Sequence, residues 1–536
     1  MTKKLVLFYL ISIFFLACQT KNNTAIDTKN LAQDITALSA DSMLGRPISG
    51  IGAERTLNYL QKRMQDIGLE PAFEGSYLQK VPLVMLYSRM TEPVGIHSPA
   101  GENRFEPYTD FSLWGTQAKP LTELKNSPMV FMGFGVNSPE NHWNDFKNID
   151  VKGKTIVVLV NDPGFYTNDT IFKGKAMTYY GRWRYKFEEA ERQGAAACII
   201  VHEEDGAGYP WGVASKDSTK PNVYVEEMLV KPAKCAVQGW MTSQTARKLF
   251  SLSGLDYDKL KIAANKQGFK PVPLKTTLNT VIANRWKKVT SYNVAGILKG
   301  AKHPDEAVVY SAHWDHLGVG KSINGDSIYN GASDNAAAMA WLLDIAAKFK
   351  TKPAPERSVL FLIPTAEEAG LLGSQYYVEH PVLPMNKTVA CINTDVILFL
   401  GKFKDVTITG IGHSDLDKYV EEFAKKQNRY VANDPNPENG MIFRSDQLPF
   451  MQHGVPSIFA KGYTEQRELG KEKTIQKIKE YWKNTYHKPS DEFDPKRDNL
   501  EGLAEDAVLF FNIGNKLANE RSFPQWHKSS EFYKKR

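Results

Sequence analysis

Four short motifs set the architecture of this chain: Ser311-Ala-His-Trp-Asp-His-Leu-Gly318, Gly331-Ala-Ser-Asp-Asn335, Pro364-Thr-Ala-Glu-Glu-Ala-Gly370 and Ile392-Asn-Thr-Asp395. Three apolar, β-favouring runs feed them. Residues 307–310 end near His313, residues 358–363 end just before Glu367 and Glu368, and residues 388–392 lead to Asp395. Between the first two runs, residues 335–350 are rich in Ala and Leu and read as a packed helix. Alternation of strand and helix predicts an α/β fold with a mostly parallel central sheet flanked by helices. Ligands of such sheets bind beyond the carboxyl ends of the strands. Three separate strands bring His or a carboxylate to that one edge, which predicts a metal site.

Working outward, 536 residues predict two or three domains. Hydrophobic content of 42% and charged content of 24% are those of a globular protein. The net charge of +7 is small for this length and its lysines are dispersed, so no nucleic-acid partner is expected. Residues 1–18 read as a signal peptide. Lys3 and Lys4 form the basic region, and residues 5–17 form an apolar stretch too short for a permanent bilayer span. It ends in Phe15-Leu-Ala-Cys18, which resembles a bacterial lipobox, with the leucine one place nearer the cysteine than usual. The expectation is an exported protein of the cell envelope, anchored to a membrane through lipidated Cys18 and tethered by residues 19–27. In a Gram-negative cell it would be a periplasmic or outer-membrane lipoprotein. Of the other cysteines, Cys391 lies in a predicted core strand and reads as a buried small hydrophobe. Cys198 and Cys235 are a candidate disulfide whose bonding the sequence leaves open.

Segments 32–38 and 53–67 read as helices, the second with Leu57, Leu60, Met64 and Ile67 on one face and Gly68 as its C-cap. Composition changes over residues 129–265, which read as an inserted, smaller, β-rich α+β domain. It contains a buried strand ending at 160, an amphipathic helix over 185–193 and another strand over 195–201. Its dense aromatics, Tyr179, Tyr180, Trp183 and Tyr185, read mostly as core, with a binding surface as the alternative. The main domain is then divided into residues 19–128 and 266–536. It resumes with a strand over 292–298 and continues with a helix over 415–426, a short strand over 456–459, a loop over 486–491 and a helix over 500–517.

His313, Asp334, Glu368, Asp395 and His487 offer imidazole and carboxylate donors that suit Zn²⁺. Two metals sharing one carboxylate need such a set, and such a pair polarises a carbonyl and acidifies water. Glu367, beside Glu368, is the candidate general base. Asp315, two residues from His313, is placed to hold the other ring nitrogen. Spacing alone does not exclude His316 as the ligand. Singly, each has a structural reading: Asp334 as an N-cap, or Glu367 and Glu368 as charges at a helix N-terminus.

Together these motifs resemble the co-catalytic di-zinc aminopeptidase family, which also includes glutamate carboxypeptidase-type enzymes, glutaminyl cyclases and the transferrin-receptor ectodomain. The resemblance covers residues 30–84 and 282–517 and implies the zinc-exopeptidase fold. It implies two zincs per chain bridged by Asp334, with His313 and Asp395 on one and Glu368 and His487 on the other. It implies Glu367 as general base, Asp315 as orienting residue and Tyr486 as a stabiliser of the oxyanion. Arg444 matches the position before a family Ser-Asp element. Ala-Ala-Ala after Asn335 and Gln447 after Asp446 depart from the family pattern, which bears on substrate preference. The insert resembles a protease-associated domain. The implied activity is hydrolysis of N-terminal residues from peptides. Carboxypeptidase, glutaminyl cyclase and receptor-like binding are the alternatives on this fold. Oligomeric state is not legible.

Overall fold

The apolar run at 307–310 lies inside a longer strand, His303–Ser311, at the heart of the sheet. The computed structural model describes residues 26–167, 170–215, 219–230 and 234–533. The signal segment and Cys18 lie outside the described residues. His303–Ser311 pairs in parallel with Arg357–Ile363 on one side and Thr388–Asn393 on the other, and Thr388–Asn393 pairs in parallel with Ser457–Lys461. Ser311 faces both Leu362 and Asn393, and Asn393 faces Phe459. That register ends the strands at one level, so His313, Glu367 and Asp395 emerge at one edge. These strands are buried on both faces and read as continuous apolar runs, as a helix-covered parallel sheet requires. Helices Thr28–Leu38, Ala337–Lys350 and Glu501–Asn519 pack into the same core through Leu31, Trp341, Leu342 and Phe510.

A second body has its own cores. Residues 129–265 contribute parallel strands Thr155–Leu159 and Ala197–His202 and helix Trp183–Arg192. Its packing extends further along the chain, taking in Met90, Phe105, Phe111 and Leu124 before that segment and Leu274, Leu278 and Ile282 after it. The link is strand Val272–Leu298, far longer than the 292–298 read from the sequence. Its first half pairs with Leu121–Phe131, its middle with Leu78–Met90, and its last residues with Arg357–Ile363 in the main sheet. Alternate burial of Leu274, Thr276, Leu278, Thr280 and Ile282 shows the period of two that keeps one face on the core. Cys198 and Cys235 are buried free thiols, as is Cys391. Among the described residues, no helix is long and apolar enough to cross a membrane.

Candidate metal centre

Asp334 sits in a single tight turn, Ala332–Ala336, ahead of helix Ala337–Lys350. The helix is capped at Ala336, so Asp334 is no N-cap. Asp491 fixes this turn from outside: its carboxylate oxygens accept from the amides of Ser333 and Asp334, both at 3.1 Å, and its carbonyl accepts from Ala332 N at 2.9 Å. Because Asp491 follows His487 by four residues, one loop both delivers the imidazole and clamps the aspartate turn.

Arg46 fixes the turn from inside. It is fully buried, and its guanidinium donates to the carbonyls of Trp314, Leu38, Asn330, Gly331 and Asp334. Burial pushes it down to about 10 against the pull of Asp334 and Asp491, so it remains a cation at neutral pH. Gly331 has φ +59°, and a Cβ there would come within 2.1 Å of the Asp334 carbonyl. Gly45 has φ +64° and would strike the carbonyls of Gly318 and Tyr329 at 2.5 Å. The two glycines let the Arg46 loop and the Asp334 turn close on each other. Ala366, Leu371, Val396 and His487 also adopt left-handed backbone beside the donors. For β-branched Val396 this is strained, and Lys461 holds it by donating to the carbonyls of Asp395 and Val396.

The donors converge in two groups. His313, Asp334 and Asp395 form one, and His316, Asp334, Glu368 and His487 the other, with donor atoms within 4.8 Å of one another in each. Asp334 belongs to both. His313 Nε2 lies 3.2 Å from Asp395 Oδ1, 3.5 Å from Asp334 Oδ1 and 3.8 Å from Glu367 Oε2. His487 Nε2 lies 3.2 Å from Asp334 Oδ2 and 3.3 Å from Glu368 Oε2. His316, left open by spacing, places Nδ1 2.8 Å from Glu368 Oε1.

Asp315 takes a different position from the one its spacing suggests. His313 Nδ1 bonds to the backbone carbonyl of Asp315 at 3.0 Å, while the carboxylate is 3.9 Å away, beyond hydrogen-bond reach. The carboxylate is already engaged, accepting from the amides of Glu367 at 3.0 Å and Glu368 at 3.3 Å. One residue thus sets the imidazole with its main chain and the two glutamates with its side chain. Tyr486 stacks on His487, ring centroids 3.7 Å apart, and borders the same donors. Arg444 stands further out, on a cavity wall.

The donor set fits divalent metal. A carbonyl only accepts, so Nδ1 of His313 carries a hydrogen, and Nε2 faces three carboxylates. Asp334 Oδ1, His316 Nε2 and His487 Nε2 are buried without a hydrogen-bond partner. Such a cluster of anions and lone pairs requires positive charge, and the protein's own groups respond accordingly. His487 is pushed up to about 10, Glu368 and Asp334 outweighing its burial. Burial opposes the charge of Glu368, yet His487 and His316 hold it well below the usual range. Glu367 departs the other way: burial lifts it well above the ordinary carboxylate range, despite His313. The two adjacent glutamates are thus held in opposite directions by their surroundings.

Beside Glu368 opens a cavity of about 720 Å³ between the two bodies, with Trp183, Tyr209 and Trp240 on one wall and Gln375 and Arg444 on the other.

This parallel-sheet edge with its paired donor groups is the arrangement expected from the resemblance to the zinc-exopeptidase fold. The structure resembles that of an aminopeptidase from Aneurinibacillus sp. strain AM-1, with a TM-score of 0.50 at 16% identity over 94% of this chain and 96% of that one, a likeness of fold. Residues 293–510 match the model of Peptidase family M28. Among curated relatives, Aminopeptidase NAALADL1 of Mus musculus is 34% identical over 25% of this chain and 17% of its own length. A probable leucine aminopeptidase 2 of Aspergillus oryzae is 31% identical over 31% of this chain and 33% of its length. Aminopeptidase YwaD of Bacillus subtilis is 37% identical over 17% and 18%. The chain thus spans at most about a third of the length of these relatives.

Proposed function

We propose that the chain is a zinc-dependent aminopeptidase that removes N-terminal residues from peptides. The observation that carries this reading is the sharing of Asp334 between two donor groups, with Glu367 Oε2 beside them, 3.8 Å from His313 Nε2. The names of the relatives above point the same way. His313, Asp334 and Asp395 would hold one zinc, and Asp334, Glu368 and His487 the other, with His316 against Glu368. When bound, the zincs supply Lewis-acid polarisation of the scissile carbonyl and a lowered pKa for water. Glu367 Oε2 takes the proton released as water attacks the carbonyl carbon and hands it to the departing amine nitrogen as the C–N bond breaks. Asp315 holds Glu367 in register through its amide, and the Tyr486 hydroxyl would donate to the developing oxyanion.

Elemental analysis of the full-length protein, freed of adventitious metal, is expected to give about two zincs per chain. A value at or below one overturns the binuclear centre. On a panel of aminoacyl arylamides and N-blocked peptides, only free amines should react, and a chelator should stop them. Release of C-terminal residues from the N-blocked peptides alone would instead favour the carboxypeptidase reading.

The segment 129–265, with the strands that extend its core, serves in this reading as a protease-associated domain that narrows the approach to the centre. The N-terminal pattern supports export and lipid anchoring at Cys18. Cys18→Ser is expected to release the protein from membranes or leave its signal uncut, because a multiply acylated N-terminus anchors where one chain binds weakly. Unchanged fractionation together with unchanged mass would remove the lipid anchor from the account.

A further inference from the structure

The loop that carries Glu367 and Glu368 is gripped from both bodies. It turns sharply: the amides of Gly370 and Leu371 both donate to the Glu367 carbonyl, at 2.7 and 2.9 Å. Ala366 and Leu371, at its two ends, adopt left-handed backbone with φ +53° and +62°. That conformation is unfavourable for residues with a side chain and persists only where the surroundings impose it. The main domain grips the amide side, through the Asp315 carboxylate on the amides of Glu367 and Glu368. The carbonyl side is gripped by the insert. Arg184, half-buried in the first turn of helix Trp183–Arg192, donates through Nη1 to the Gly370 carbonyl, and its Nη2 lies 3.5 Å from Gln375 Oε1. Gly370 lets the guanidinium approach, since a Cβ there would stand 3.3 Å from Nη1. The segment leading into the helix is itself pinned to the main domain. Tyr179 donates its amide to Glu531 Oε1 at 3.2 Å, and its hydroxyl accepts from Gln452 Nε2 at 2.6 Å. Lys173 pairs with the same Glu531 at 3.3 Å. Arg184 therefore reaches the glutamate turn from a seated base.

We propose that Arg184 is a positioning residue for the reaction: from the insert it holds the turn bearing Glu367 and Glu368, so that proton transfer by Glu367 runs at full rate only while the insert is seated. The proposal rests on the peptidase reading for the role of Glu367. A hydrogen bond donated by a cation is about twice as strong as a neutral one, and the rigid guanidinium fork fixes its direction. Asp315 secures only the amide side of the turn. Without Arg184 the turn can pivot about Asp315, and Glu367 Oε2, 3.8 Å from His313 Nε2, moves with it. A displacement of about an ångström in a reacting group costs up to roughly 100-fold in rate. His313, Asp334, Asp395 and His487 come from other segments and Glu368 is also held by His316, so the metal donors should stay in place. The insert thus acts on the chemistry as well as on access to it.

The test uses the full-length zinc-loaded protein with leucine p-nitroanilide. Arg184→Ala is expected to lower kcat roughly 10- to 100-fold, with KM within about threefold of wild type and zinc content unchanged. Arg184→Lys, which keeps a charged donor, should recover part of the loss. Millimolar guanidinium should restore part of kcat in Arg184→Ala and none in the wild type. Tyr179→Phe removes the hydroxyl that Gln452 and Glu188 share and so loosens the seat. It should lower kcat on its own and add little to Arg184→Ala, as expected of groups acting through one contact. Deuterium exchange gives a readout that needs no turnover: uptake at the amides of Gly370 and Leu371 should rise in Arg184→Ala and fall back in Arg184→Lys. A kcat within about twofold of wild type with unchanged exchange at that turn overturns the proposal. So does a rise in KM alone, or a loss of kcat that follows loss of zinc and that neither lysine nor guanidinium repairs. If Arg184→Ala does not fold, Arg184→Lys and Tyr179→Phe decide the matter by the same measures. Exchange governed by Arg184 in a wild type that hydrolyses no peptide or arylamide removes only the peptidase reading. Hydrolysis that ignores Arg184 removes only the positioning role.

Discussion

Glu367→Gln is expected to lower kcat by roughly 10²–10⁴-fold, the span of a lost general acid–base group, while KM, zinc content and thermal stability stay near wild type. Glutamine has nearly the same shape, and the Glu367 amide that bonds to Asp315 Oδ1 at 3.0 Å is unaffected. It cannot carry the proton, a function exercised in the transition state rather than in substrate binding. The neighbouring position should behave differently. Glu368 lies 3.3 Å from His487 Nε2 and 2.8 Å from His316 Nδ1, so Glu368→Ala is expected to lose zinc along with activity. Metal analysis and steady-state kinetics on both variants check the contrast. Near-normal kcat in Glu367→Gln with full zinc in Glu368→Ala would show that the two roles have been misassigned.

The second large effect is expected far from these glutamates in sequence. Arg46→Met removes a buried cation and leaves carbonyls of Trp314, Leu38, Asn330, Gly331 and Asp334 without their donor. Each uncompensated buried acceptor is costly, and Asp334 loses the positive charge that faces it. A loss of about 3–5 kcal/mol in unfolding free energy follows from comparable buried-charge deletions, with weaker zinc retention because the turn carrying the shared aspartate is no longer pinned. Arg46→Lys should recover little, since one ammonium cannot span five acceptors. Denaturant titration and chelator competition test this. Stability within about 1 kcal/mol of wild type, with normal zinc retention, would contradict it.

The central strands and the donors at their ends were legible because apolar β-branched runs stop where His or carboxylate residues begin, and the parallel register keeps those stops level. What escaped depended on distance or on atoms. The i, i+2 spacing of His313 and Asp315 is the same whether the ring bonds the side chain or the carbonyl, and only the folded loop shows the carbonyl taking it. His316 stands beside a candidate ligand in a motif with two histidines, and spacing does not say which of them reaches the site. Arg46 had one faint signal, a lone charge between Gly45 and Pro47. Helix Gly470–Asn484 has a better one in Ile475, Ile478 and Trp482 at helical spacing. The compositional change near residue 129 marks where strand content shifts. The packing reaches back to Met90 because one continuous strand is shared by both cores.

The span of the Arg46 contacts also orders the assembly of the molecule in time. Its guanidinium closes on carbonyls 268 to 288 positions later in the chain. Closing so long a loop is slow compared with forming the local helices. In a polypeptide emerging residue by residue, the loop around Arg46 waits, with all its acceptors but Leu38 not yet made, until synthesis has passed Asp334. The cation is then trapped beneath a turn that it helps to shape. The centre is therefore a late product of folding, and zinc arriving early meets donors that are not yet held together.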